Sequence, residues 1–308
     1  MYLALRGIDW VVFLEVLQHA NYAFIGLITI WSSGSYVLRA VRWHGLLSSQ
    51  KTISILNVFW ANMIGYLGNM VLPARAGEVI RASYIARKEN ISISFVLATS
   101  ITERLMDLAS LVIISGIALF FVDTFPRSVQ DALESLALIA VTGVAFLFLL
   151  PYFHGVLIRF LSSLSFLGEV FQSKIQGIMT HFLEGVDVIS RADRGLPFIF
   201  FTALIWLMDG VGMILFAFAL NESLNLVQAF LFIAALGISS AIPSTPGYVG
   251  VYQFVAVIVL TPFGIKRESA LAMILVSQAL NLLVVSLWGG LGLWHGSQGI
   301  IKSTSKGN

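Results

Sequence analysis

Glu103, Arg104 and Asp107 lie inside an apolar stretch that runs from about residue 94 to 122. Glu103 and Asp107 are four residues apart and share one helix face, while Arg104 sits a quarter-turn round. Charges at membrane depth cost at least a few kcal/mol each unless they are paired. Two acids and one base are unbalanced, so the set calls for a further cation. The segment Asn69-Met-Val-Leu-Pro73-Ala-Arg75-Ala-Gly77-Glu78, followed by Arg81, offers one in Arg75 or Arg81. Glu78 then has Arg81 and Arg104 to choose between. Such a group can do one of two things. Its arginines can grip phosphate oxygens through their forked N–H groups, with Glu78, Glu103 and Asp107 holding them in place. Alternatively, the group closes on itself as a salt-bridge network that clamps the Pro/Gly break to the 94–122 stretch.

A second break, Ile242-Pro243-Ser244-Thr245-Pro246-Gly247-Tyr-Val-Gly250, interrupts the apolar residues 229–262 without any formal charge. A half-helix starting after Gly247 would aim its N-terminal N–H groups into this break, a favourable place for an anion. The plainer reading is a helix-breaking turn. Both breaks share apolar-Pro-x-x-x-Gly, and each precedes a polar cluster on a long apolar stretch: Glu103-Arg104-x-x-Asp107 after the first, Gln278-x-x-Asn281 after the second. Paired interruptions of this kind point to inverted repeats with a site at their interface. Asp209 is a lone acid beside Gly210 and Gly212, read as an acid paired within the bundle or as a proton or cation site. Arg42-Trp43 reads as an anchor at the membrane–water interface.

The surrounding composition sets the class. Of 308 residues, 58% are hydrophobic and 11% charged, against about 25% charged in soluble domains. Mean hydropathy is +0.90. The expected fold is an all-α polytopic membrane protein of about 6–8 membrane helices, two of them re-entrant or broken. Crossing stretches are expected near 20–42, 94–122, 134–153, 197–220 and 270–295. Residues 53–72 and 229–262 read as re-entrant or broken. The whole chain, 1–308, reads as one membrane domain. Residues 1–19 form an interfacial N-terminal segment, and 154–196 a cytoplasmic loop with surface helices. Lys and Arg concentrate in 39–51, 73–91, 154–196 and the tail after 295, which places these segments and the C-terminus in the cytoplasm. That assignment requires 53–72 to enter and leave on the same side. There is no cysteine, which excludes disulfides and thiolate metal sites. The chain has no Gly-x-x-x-x-Gly-Lys-[Ser/Thr] loop for a nucleotide.

Arg42-Trp43, then Gly68-Asn69-x-x-Leu72-Pro73-x-Arg75-x-Gly77-Glu78-x-x-Arg81, then Glu103-Arg104-x-x-Asp107, then Pro243-Ser244-Thr245-Pro246-Gly247-x-x-Gly250, in that order, resemble the lysylphosphatidylglycerol synthase transmembrane region, or flippase-like domain. The resemblance covers nearly the whole chain. It implies movement of a phospholipid or lipid-linked headgroup between leaflets, in the cell membrane, by a stand-alone member without the synthase domain. It also implies a headgroup site near Arg75, Glu78, Arg81, Glu103, Arg104 and Asp107, and a further span ahead of residues 8–42. The expected partners are membrane lipids, a separate synthase or glycosyltransferase, and a second copy of the chain. No cofactor, metal or nucleic acid is expected. Two rival functions stand beside translocation. One is a membrane-embedded transferase using Glu103 or Asp107 as base or metal ligand. The other is an accessory subunit of a lipid-modifying enzyme.

Overall fold

A computed structural model describes residues 8–49, 51–72, 75–119, 192–240 and 245–304, together with single positions at 138, 142, 149, 153, 155 and 177. The stretch expected to cross at 134–153 and nearly all of the 154–196 loop therefore lie outside the described residues, as do Pro73, Pro243 and Ser244. The described elements are helical. They are α1 (Trp10–Gln18), α2 (Tyr22–Leu47), α3 (Ile55–Val71), α4 (Gly77–Glu89), α5 (Ile93–Leu119), α6 (Ala192–Ala219), α7 (Leu226–Ser239), α8 (Val251–Leu260) and α9 (Arg267–Thr304). Short 3₁₀ turns at Pro246–Tyr248 and Thr261–Phe263 flank α8.

Among the described residues, three helical segments are long and apolar enough to cross a membrane: Tyr22–Leu47, Asp193–Ala219 and Arg267–His295. The helix α5 has 27 residues but carries Glu103, Arg104 and Asp107 in its middle. Helix α1 is too short to cross, at 9 residues. Asp9 caps it by accepting from the backbone N–H groups of Val11 and Val12. Trp10, Val11 and Leu14 stay exposed, while Phe13 packs into a cluster with residues of α2, α6 and α9.

Two pairs of short helices form the breaks. Helices α3 and α4 fold back on each other as an antiparallel hairpin. At its base Lys51 donates to the Glu89 carbonyl and Asn57 to the Glu89 carboxylate. Near its tip the backbones approach so closely that a Cβ on Gly77 would lie 1.9 Å from the Gly65 carbonyl oxygen. Only glycine fits there. This corrects the extent read from the sequence: 53–72 is the entering arm only, and the return arm is Gly77–Glu89. The polar composition of that arm disguised it as loop. Helices α7 and α8 form the second pair. Helix α8 starts at Val251, after Gly250 (φ +93°), three residues later than expected. Gly247 (φ +66°) sits in the turn between them, a left-handed conformation that suits glycine.

The order long helix, short pair, long helix occurs twice: α2, α3–α4, α5, then α6, α7–α8, α9. Corresponding elements start about 170 residues apart, the separation of Arg39 and Asp209. Contacts follow the same symmetry. Helices α2 and α6 run antiparallel against each other, from the Phe24–Phe218 ring contact to Arg42 on Thr202. Helix α3 packs on α9 through Gly289 and Gly292. Its counterpart α7 packs on α5 through Gly237 and Leu111. Each half thus lays the first arm of its hairpin on the last helix of the other. Because α2 and α6 oppose in direction, the repeat is inverted.

Candidate functional site

Two polar clusters sit where the hairpins meet the long helices. The first is built around Glu103 and Asp107, which share the inward face of α5. Arg42, on α2, reaches both. Its Nη1 lies 2.6 Å from Asp107 Oδ1 and its Nη2 2.8 Å from Glu103 Oε1, with a further bond to Asp107 Oδ2 at 3.0 Å. Arg81, on α4, donates to Glu103 Oε2 at 3.0 Å and to Asn62 Oδ1 at 2.9 Å, and its Nε lies 2.7 Å from Glu78 Oε2. Arg104 pairs with Glu78 at 2.9 Å and faces Asp107 at 3.6 Å. Three arginines meet three carboxylates, so the imbalance in the sequence is closed by Arg42 and Arg81. The Arg42, Arg81 and Glu103 side chains are no more than 1% exposed. Arg81 also lies over the Trp43 ring at 4.4 Å, and Trp43 Nε1 donates to Thr99. Arg42-Trp43 is therefore no interface anchor: both are fully buried, and Arg42 ties α2 to α5. Its signal in the sequence was the spacing Arg39, Arg42/Trp43, Leu46, one helical stripe whose inward side the apolar context concealed.

This cluster has the geometry of a closed clamp. Buried ion pairs are sustained only where each charge meets an opposite one, since a charge left alone there is strongly destabilising; Arg42 Nε is buried without a hydrogen-bond partner among the described residues. Asn69 sits at its edge, with Nδ2 3.5 Å from Glu78 Oε1, and Gly77 lets α4 come close enough for Arg81 to reach Glu103.

The second cluster joins the two hairpin tips. Arg75, in a left-handed conformation at φ +53°, points away from the first cluster. Its Nη2 donates to the Ser240 carbonyl at 2.7 Å and to Ser240 Oγ at 2.9 Å, and its Nε to the Tyr248 hydroxyl at 3.2 Å. Among the described residues it meets no carboxylate. Tyr248 stacks on Tyr252, with ring centroids 4.8 Å apart. Gln278 donates to the Gly247 carbonyl at 2.8 Å and accepts from Gln253, whose own side-chain oxygen accepts from the Gly250 N–H. One turn along α9, Asn281 accepts from the Tyr36 hydroxyl. Thr245 turns away to bond the Val249 carbonyl, and Pro246 opens the 3₁₀ turn. The second break is thus a braced turn with its first free helical N–H already bonded, and Ser240, Tyr36 and Gln253 are the members the sequence did not mark.

Between the clusters, Arg39 pairs with Asp209, which also accepts from Ser35. Asp209 is therefore an acid paired within the bundle. Among the described residues no group of three or more His, Cys, Asp or Glu side chains is placed to hold a metal ion.

The profile of the family described as "Lysylphosphatidylglycerol synthase TM region" matches residues 1–289. The chain belongs to this family. Relatives include two UPF0104 membrane proteins. That of Methanocaldococcus jannaschii is 24% identical over 76% of this chain and 96% of its own. That of Pyrococcus horikoshii is 22% identical over 90% of this chain and 88% of its own. A protein named glycosyltransferase AglD, from Haloferax volcanii, is 22% identical over 91% of this chain, which spans 50% of that protein. No solved structure matches the chain. Within this member of the lysylphosphatidylglycerol synthase TM family, the two clusters account for most of the polar residues of the four motifs on which the resemblance rests.

Proposed function

We propose that the chain translocates a phospholipid or lipid-linked headgroup between leaflets, with the headgroup engaged where the two hairpin tips meet. The observation that carries this is Arg75. The other four arginines of the charged core, Arg39, Arg42, Arg81 and Arg104, are each neutralised by a carboxylate. Among the described residues Arg75 is held by a carbonyl, two hydroxyls and the face of the Tyr248 ring, neutral partners that a phosphate can displace. An inverted repeat with broken helices meeting tip to tip suits alternating access from either side. Family membership supports a lipid as the cargo. The chain itself carries no nucleotide-binding loop, so the drive is an ion gradient or downhill flow. No enzymatic step is assigned to Glu103 or Asp107, because both are engaged by arginines.

The relative named as a glycosyltransferase supports a second reading. This chain matches half of that protein, so the membrane module there accompanies as much chain again. On this reading the module serves a lipid-modifying enzyme, here as a separate partner. Purified protein in liposomes with fluorescent phospholipids separates the two. Translocation exposes inner-leaflet label to an outside quencher faster than in protein-free vesicles. An accessory module gives the protein-free rate with every headgroup.

A further inference from the structure

We infer that the headgroup taken at the hairpin tips is monoanionic and hydroxylated: a single phosphodiester bearing polyol or sugar hydroxyls, and not a cationic aminoacyl group. The inference rests on the translocation reading above and narrows it.

Charge accounting at the core comes first. The carboxylates Glu78, Glu103, Asp107 and Asp209 each have an arginine nitrogen at 2.9 Å or closer. None is left over for a ligand ammonium. The surplus is one positive charge, on Arg75. A cationic headgroup brought to the tips meets that like charge with no compensating anion among the described residues, whereas a single phosphate neutralises it.

Donor accounting agrees. A guanidinium has five N–H groups. Among the described residues, Arg75 uses Nε on Tyr248 and Nη2 on Ser240. On the same count, both N–H groups of Nη1 are uncommitted among the described residues and face no competitor there for phosphate oxygens. The other polar groups described around Arg75 are neutral amides and hydroxyls, beside the exposed apolar side chains of Val71, Leu72 and Val249. Ser240, Tyr248 and Gln278 are half-buried, and Asn281 accepts from Tyr36 while its own NH₂ has no partner among the described residues. The Ser240 hydroxyl already donates to the Gly237 carbonyl, and the Gln278 amide keeps one N–H and one oxygen lone pair beyond its bonds, among the described residues, to Gly247 and Gln253; these, with the Asn281 NH₂, are the groups a polyol meets. Arg75 and α9 converge on the same turn, since Gln278 holds the Gly247 carbonyl and Arg75 holds the neighbouring Tyr248. Phosphate and hydroxyl recognition are therefore adjacent.

The test is a binding titration in detergent by native mass spectrometry. The purified chain meets dioctanoyl phosphatidylglycerol, dioctanoyl lysylphosphatidylglycerol and water-soluble sn-glycerol 1-phosphate. The expected result is at least tenfold tighter binding of phosphatidylglycerol than of its lysyl ester. Arg75→Gln should weaken phosphatidylglycerol at least tenfold, and Arg75→Lys, which keeps the charge but not the fork, should weaken it less. Soluble glycerol phosphate, a phosphomonoester, shares the phosphate and hydroxyl groups without the diester or the acyl chains and should bind much more weakly than the lipid. Equal or tighter binding of the lysyl lipid overturns the inference, as does undiminished phosphatidylglycerol binding by a folded Arg75→Gln protein. Glycerol phosphate binding as tightly as the lipid overturns it too, in favour of a soluble phosphate ester. The titration involves no leaflets, so a protein that binds as expected but moves no lipid in vesicles fails the translocation reading alone.

Discussion

Arg75 and Ser240 join the two halves of the repeat tip to tip, through bonds of 2.7 Å to the serine carbonyl and 2.9 Å to its hydroxyl. This contact differs in kind from the ion pairs deeper in the bundle. It links the ends of two hairpins, it involves no carboxylate, and among the described residues it leaves part of the guanidinium uncommitted. The expectations below separate what the paired charges do for the fold from what Arg75 does for the cargo.

Removing Arg42 should damage the fold. Arg42→Leu leaves Glu103 with Arg81 alone and Asp107 with only the more distant Arg104, a loss of about 3–5 kcal/mol for breaking a buried pair. Arg42→Lys should recover little, because a single ammonium cannot bridge two carboxylates as the fork does. Thermal unfolding in detergent reads both. Wild-type melting for Arg42→Leu would show the clamp to be dispensable.

Arg75→Gln should melt closer to wild type than Arg42→Leu, because its bonds run from a half-exposed guanidinium to neutral acceptors, at the low end of the roughly 1.5–3 kcal/mol of bonds to charged groups, and its loss leaves no buried carboxylate unpaired. The same protein should lose translocation. Stability and activity therefore part at Arg75 and fall together at Arg42, a contrast measurable on one pair of preparations.

Gly77→Ala should prevent the first hairpin from closing. Its Cβ would lie 1.9 Å from the Gly65 carbonyl oxygen and 2.6 Å from Asn69, so a backbone shift is required, costing roughly 3 kcal/mol at the upper end of overpacking. Gly45→Ala, where a Cβ meets nothing within 4 Å, is the control. Unfolding midpoints of the two proteins compare them directly.

Arg39 and Asp209 should be coupled. A double-mutant cycle of Arg39→Gln and Asp209→Asn is expected to give an interaction energy of about 1–2 kcal/mol, as for contacting residues of one network. Additive effects would show the two positions to be independent despite their contact.

The breaks were legible because Pro and Gly inside apolar sequence have few explanations. Pro-x-x-x-Gly occurring twice pointed to the repeat, and the contacts of α3 with α9 and α7 with α5 complete it. The repeat was faint in the sequence because corresponding positions diverged in chemistry. Arg39 and Asp209 occupy equivalent places with opposite charge, which a search for likeness misses but which allows them to pair. The return arm Gly77–Glu89 was hidden by its polar composition, natural for a helix whose charged face meets Glu103 instead of lipid. Arg42 was misread because its partners lie 61 and 65 residues away, and no local pattern reports a contact at that range. Arg75 and Arg81 were interchangeable in the sequence. Only the turn between the arms, with Arg75 left-handed, sends one to the clamp and the other to the opposite tip.

The most direct test restores the charge of Arg75 chemically. The chain has no cysteine, so Arg75→Cys introduces a single thiol for methanethiosulfonate reagents. In liposomes, Arg75→Cys should translocate fluorescent phospholipid no faster than protein-free vesicles. Coupling a cationic ethylammonium group should restore a substantial part of the wild-type rate, and a neutral methyl group should not. Wild-type transport by unmodified Arg75→Cys, or equal rescue by the neutral reagent, would contradict a phosphate-binding cation at the hairpin tips.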